Sequence, residues 1–230
     1  MSTAQGARAR ARQEVTAAIK EAARGQLAAE GAAKLSLRAV ARELGMVSSA
    51  VYRYFPSRDD LLTALIIDAY DALGEAAEQA RDAASAAAPL DRWTAVCEAV
   101  RTWALAHPHE YALIYGSPVP GYAAPDTTVR AAARVGLVLI DIVREAHRDP
   151  GLTLPPLPAE LVPEAERMGA DFAPGLPPEA VAALVAAWAQ LFGLVGFEVF
   201  GQFNRVVEDR AAFFRHAAVR LAQGAGLPPS

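Results

Sequence analysis

The chain has 230 residues, 53% hydrophobic and 21% charged, with a formal net charge of −4 and a mean hydropathy of +0.16. This supplies apolar material for one small and one larger core and excludes a uniformly cationic polyanion binder. The single cysteine, Cys97, excludes an intramolecular disulfide and a cysteine-based metal cluster.

The charge is unevenly spread. Residues 1–60 carry ten Lys/Arg against six Asp/Glu, a net of +4, while the rest carry twelve against twenty, a net of −8. A basic N-terminal third in an acidic protein points to a polyanion-binding segment. His107, His109, His147 and His216 show no metal-ligand spacing, so neither metal nor cofactor is implied. The start, MSTAQGARARARQE, lacks the apolar core of a signal peptide. No stretch reaches the roughly twenty uninterrupted apolar residues of a membrane span. A cytoplasmic protein with no membrane partner is the expectation.

The periodicity is helical almost throughout, and period-two runs of β-branched and aromatic residues are missing. The pattern predicts an all-α chain of about nine helices. A first helix over 13–29 places Val15, Ile19, Ala22, Ala23, Gln26 and Leu27 on one stripe and ends near Gly31. A second starts at Ser36, a candidate N-cap, and runs through Leu37, Val40, Ala41 and Leu44 to Gly45. A third starts at Ser48 or Ser49 and ends before Pro56. Ser57 then caps a fourth, carrying Leu61, Leu62, Leu65, Ile66, Ala69, Tyr70 and Leu73 on one face and fading before Pro89.

After Pro89 a helix runs through Trp93, Val96, Val100 and Trp103 and closes at His107-Pro108. The apolar helical spacing around Cys97 makes it a buried small hydrophobe. A short helix spans Tyr111 to Tyr115, and a Gly/Pro loop runs from Gly116 to Pro125. A long amphipathic helix covers 126–147. Eight prolines between 149 and 178 predict an extended surface loop. Two more helices, at about 178–203 and 208–223, close the chain.

The informative stretch runs from Leu37 to Phe55. Two short helices meeting at a turn need a small residue at their crossing, met by Ala41, and a positive-φ residue at the turn, met by Gly45. Val40, Leu44, Met46, Val51 and Tyr54 or Phe55 fall where apolar side chains fill a small core. An ordinary helical hairpin would share that apolar pattern, but the outward positions say more. Ser48, Ser49, Ala50, Tyr52 and Arg53 are neutral or basic, with no carboxylate until Asp59. Small residues let a backbone approach the major groove floor, and Tyr52 and Arg53 suit phosphates, a thymine methyl or a guanine edge. Arg58, at the start of the fourth helix, suits a phosphate oxygen.

The runs Leu35-Ser-Leu-Arg-Ala-Val-Ala-Arg-Glu-Leu-Gly45, Ser48-Ser-Ala-Val-Tyr-Arg-Tyr-Phe55 and Ser57-Arg-Asp-Asp-Leu-Leu62 resemble the signature of TetR/AcrR family transcriptional regulators. The resemblance covers about residues 12–72. Arg58 stands where Lys is usual, and Arg53-Tyr54 replaces a Tyr-x-His pairing. It implies a three-helix DNA-binding domain over 10–58, a connecting helix over 58–82, and a larger ligand-binding and dimerisation domain over 83–230. Its DNA contacts fall on Ser36, Arg38, Ser48, Ser49, Ala50, Tyr52, Arg53, Tyr54 and Arg58. The partners it implies are double-stranded operator DNA, an unidentified small-molecule effector and a second copy of the chain.

The family dimerises through its last two long helices. Residues 188–200 are apolar almost all round, so Leu191, Val195 and Phe197, with Phe213 on the last helix, are the candidate dimer contacts. Gly193 and Gly196 would admit a close partner helix. This stretch resembles the subgroup carrying Trp-x-x-x-His-Gly, with Phe192 in the His place. Trp103, Tyr111, Tyr115, Trp188 and Phe192 are the candidate effector contacts, aromatics that suit an apolar pocket. No paired carboxylates, activated nucleophile or Gly-rich phosphate loop appears, so no enzyme is expected.

Overall fold

The computed structural model describes residues 2–148 and 151–229; Asp149 and Pro150, part of the predicted proline-rich loop, lie outside them. Among the described residues there are eleven α-helices, three 3₁₀ turns and no strand. The helices are α1 Ser2–Glu30, α2 Leu37–Glu43, α3 Ser48–Val51, α4 Arg58–Ala83, α5 Pro89–Ala106, α6 Pro108–Tyr115, α7 Val129–Ala132, α8 Arg134–Arg148, α9 Val162–Phe172, α10 Pro178–Val199 and α11 Arg210–Gly224. The all-α expectation holds, and about nine helices was close.

The chain divides into two compact units, Met1–Tyr70 with His107–Val129, and Asp71–Ala106 with Arg130–Ser230. In the first, Ile19, Ala23 and Leu27 of α1 meet Val40 and Ala41 of α2, Val51 of α3, and Leu61, Leu62 and Leu65 of α4. Leu113, Val119 and Tyr122, from α6 and the loop after it, pack on the same cluster. The Thr63 and Tyr122 hydroxyls are 2.9 Å apart. Arg24 bridges Asp68 of α4 and Glu110 of α6 at 2.9 and 3.0 Å.

In the second unit, α5 is sandwiched by α8, α10 and α11. Trp93, Val96, Cys97 and Val100 of α5 are fully buried, and burial pushes the Cys97 thiol pKa well up. Arg101 of α5 forms a two-pronged ion pair with Glu198 of α10, Nε–Oε2 2.7 Å and Nη2–Oε1 2.6 Å. Arg134 of α8 grips the latter part of α4: its Nε and Nη2 bond both carboxylate oxygens of Glu78, and its Nη1 bonds the carbonyl and carboxylate of Asp71. At Gly74 on that helix a Cβ would lie 2.7 Å from the Arg134 Cβ, so only glycine admits the arginine there.

Three expectations are corrected. The 149–178 segment is not one extended loop, because α9 lies within it. Pro163 stands in the first turn of α9, where the missing N–H costs nothing. Ala165 and Gly169 are buried and let α9 lie close on α10. The single helix over 126–147 is divided. Its first turn is 3₁₀, with the Thr128 N–H and hydroxyl both bonding the Pro125 carbonyl, and the α-helix is interrupted at Ala133. Third, α10 is by length and composition apolar enough to cross a membrane, with Gln190 the sole polar side chain between Ala180 and Phe197. One of its faces packs inward on α5, α9 and α11.

Candidate nucleic-acid interface and small-molecule cavity

Local capping sets the geometry of α2 and α3. The Ser36 hydroxyl accepts from the Ala39 N–H at 3.4 Å and starts α2. α2 ends in a Schellman turn: Gly45, at φ +64, donates to the Arg42 carbonyl and Met46 donates to the Ala41 carbonyl. The turn throws the chain into an extended Val47 and then α3. α3 continues as tighter turns through Tyr54, while Val51 and Phe55 are buried beneath it. Ser57 caps α4, its Oγ accepting from the Asp60 N–H at 3.1 Å and donating to the Asp60 carboxylate at 2.7 Å.

The nine sequence-predicted contacts then separate into three groups. Arg38, Ser48, Ser49, Tyr52 and Arg53 are exposed, and their side chains make no hydrogen bond or ion pair among the described residues. Ala50 is half-buried and adds only a methyl group. Tyr54 is half-buried, packed on the core, with the Arg12 guanidinium 5.1 Å from its ring centroid. Ser36 and Arg58 are engaged with protein. The Ser36 hydroxyl is the α2 cap, and the Arg58 Nη2 donates to the Ala32 and Ala33 carbonyls at 2.9 and 3.3 Å. Arg58 ties the 3₁₀ turn Ala32–Lys34 to α4 and leaves a phosphate less of its fork than its exposed neighbours offer.

In the second unit α8, α9 and α10 flank an apolar pocket of about 360 Å³ that is half open to solvent. Gly136, Leu137 and Ile140 of α8, Met168 and Phe172 of α9, and Val181, Leu184 and Trp188 of α10 line it. Arg167 is its charged member, and that guanidinium is paired with Glu164. Of the five predicted effector contacts, only Trp188 lines this cavity. Phe192 and Trp103 are buried, the former edge-on to Trp188 at 5.8 Å. Tyr111 and Tyr115 belong to the first unit, where the Tyr115 ring lies 5.2 Å from that of Tyr111 and 5.9 Å from that of Tyr70. Burial raises the pKa of all three phenols.

The predicted dimer residues divide by face. Leu191 and Val195 are fully buried within the single chain, whereas Phe197 and Phe213 are 53% and 41% exposed. The outward side of α10 carries Val185, Ala189, Gly193 and Phe197 at helical spacing, all exposed. Sequence reasoning missed α9, and with it the cavity wall. It also missed Glu198, whose signal was a lone acid inside the apolar run Val195-Gly-Phe-Glu-Val-Phe200.

Two family models match the chain. The one described as bacterial regulatory proteins, tetR family, matches residues 19–65, and the one described as tetracyclin repressor-like, C-terminal domain, matches residues 93–221. The HTH-type transcriptional regulator Rv1816 of Mycobacterium tuberculosis is 44% identical over 204 residues, which is 86% of each chain. Mb1846 of Mycobacterium bovis, also an HTH-type transcriptional regulator, matches equally. Among solved structures, the regulatory protein SCO4313 is similar with a TM-score of 0.79 at 34% identity, over 93% of this chain and 98% of that one. A tetR family transcription regulator from Shewanella sp. PV-4 shares the fold, with a TM-score of 0.61 at 19% identity over 93% of this chain and 98% of that one.

Proposed function

The chain belongs to the TetR family of bacterial transcriptional regulators, with a helix-turn-helix domain, and we propose that it acts as a homodimeric repressor released from a palindromic operator by a small apolar effector. The observation that carries the reading is the outer surface of α3 and its following turn. Hydroxyls, a phenol and a guanidinium stand there without protein partners, above a core that fixes their backbone. Ser48, Ser49 and Ala50 allow close approach to base edges, Tyr52 and Arg53 reach bases or phosphates, and Arg38 meets the adjoining backbone. The protein works in the cytoplasm, where the chromosome is.

Residues 10–58 are the reading domain, 58–82 the link and 83–230 the sensing and pairing domain. The effector site we favour is the cavity between α8, α9 and α10. Its volume of about 360 Å³ lies in the range that holds small molecules, and its nearly apolar wall selects an uncharged occupant. Arg134, on the cavity-lining α8, grips α4 at Asp71 and Glu78, and α4 runs back to Arg58 behind the reading helix. Paired reading helices must sit about 34–36 Å apart to enter successive major grooves. An effector that favours a different tilt of α4 therefore lowers operator affinity by its own preference between the two states.

Fluorescence anisotropy with the DNA upstream of the protein's own reading frame tests this. The unaltered chain should bind it, and Arg53→Ala should weaken specific binding by about 1–3 kcal/mol with an unchanged melting curve. Loss of no affinity in Arg53→Ala, or no binding at any site in low salt, would end the reading.

A further inference from the structure

We propose that the outermost turns of α1 form a second DNA-contacting element, in which Arg8 and Arg12 hold the phosphate backbone beside the recognition segment. The proposal rests on the assignment of α3 as the reading helix. α1 runs back to Ser2, well beyond the first residue of its apolar stripe, Val15. This outer part reads Ala7-Arg-Ala-Arg-Ala-Arg12, with no carboxylate before Glu14. It has no large apolar side chain to bury, and Arg8, Arg10 and Arg12 are all exposed.

Its position is fixed by one contact. The Arg12 guanidinium stands 5.1 Å from the centroid of the Tyr54 ring, so this end of α1 lies against the last turn of the recognition segment. A guanidinium stacked on a ring keeps its N–H edge available for a phosphate. Residues four apart share a helix face and residues two apart do not. Arg8 therefore stands above Arg12 on the Tyr54 side, and Arg10 points to the other side. The juxtaposition supplies two cations on the face that carries Tyr54, and a third of equal charge pointing elsewhere. Repeating phosphates, which need charge but no sequence code, are the ligand such a face fits.

The experiment uses the full chain, a labelled duplex of its own upstream DNA and a scrambled duplex of equal length, over a series of KCl concentrations. Each phosphate neutralised contributes about 0.9 to the slope of log affinity against log salt. Arg8→Ala with Arg12→Ala removes two cations from each subunit of the proposed dimer and should reduce that slope by about 3.6 on both duplexes. Arg8→Lys with Arg12→Lys should keep it, since a phosphate accepts either cation. Arg10→Ala, deleting the same charge from the opposite face, should change it far less. Melting curves matching the parent exclude misfolding as the cause. A double alanine variant that binds with the parental slope overturns the proposal, as does Arg10→Ala acting as strongly as half the double change. Failure of the parent chain to bind either duplex removes the reading of α3 and this inference with it.

Discussion

Arg101→Met isolates the buried ion pair that joins α5 to α10. The Glu198 side chain is 5% exposed and that of Arg101 19%, and the guanidinium also lies 5.5 Å over the Phe214 ring of α11. Methionine keeps part of the stem and removes the charge, leaving a carboxylate that cannot reach bulk water. Stranding one member of such a pair costs about 3–5 kcal/mol. At about 2–4 °C per kcal/mol for a chain of this size, the midpoint should fall by about 6–20 °C. Adding Glu198→Met removes the stranded charge, and the double variant should return to within about 1 kcal/mol of the parent, or exceed it. Thermal and urea unfolding followed by far-ultraviolet circular dichroism measure both, at one fixed protein concentration because the proposed dimerisation would shift the midpoint. A loss below about 1 kcal/mol in Arg101→Met, or a double variant no better than the single, would refute the reasoning. Either result would mean that Glu198 finds water or another partner.

Gly45→Ala should cost about 1–2 kcal/mol, because φ is +64 there while an added Cβ meets nothing within 4 Å. The penalty is therefore conformational, and Gly45→Asn should recover part of it in the same urea assay. Gly193→Leu should leave the chain folded, since its Cβ also meets nothing within 4 Å. It should nonetheless shift sedimentation toward monomer by blocking a partner helix; an unchanged dimer would place the interface elsewhere. Arg134 holds the Glu78 carboxyl below the ordinary glutamate range, chiefly through its hydrogen bonds. A depressed carboxyl contributes stability above its unfolded value of about 4.3 and loses it as pH falls through the folded value. The stability difference between the parent and Arg134→Ala should thus be level near neutrality and shrink on acidification, and growth toward low pH would contradict it.

The helix-turn-helix was legible because its demands are local and fall at fixed offsets. Ser36 and Ser57 cap as expected, Gly45 takes the positive φ its turn requires, and Val40, Val51 and Phe55 fill the core the spacing assigned them. Side-chain commitments made over a longer reach were not legible. Arg58 is held by carbonyls of Ala32 and Ala33, a pairing that no pattern around residue 58 announces. Tyr111 and Tyr115 pack with Tyr70 instead of joining Trp188, because the chain returns α6 to the first unit. The density of proline hid α9. Pro163 and Pro174 leave ten residues between them free of proline, room for nearly three helical turns. Leu191 and Val195 read as interface residues because α10 is apolar on every side, and periodicity cannot rank its faces when nearly all positions are alike.

α4 is one unbroken helix from Arg58 to Ala83, a rod of about 39 Å at 1.5 Å per residue. It contains no proline, and its one glycine, Gly74, is wedged against Arg134. Proline and unpacked glycine, the usual causes of a kink, are both missing from it. The residue that most easily loosens a helix is here clasped by a side chain from α8, so this glycine stiffens the turn it would elsewhere weaken.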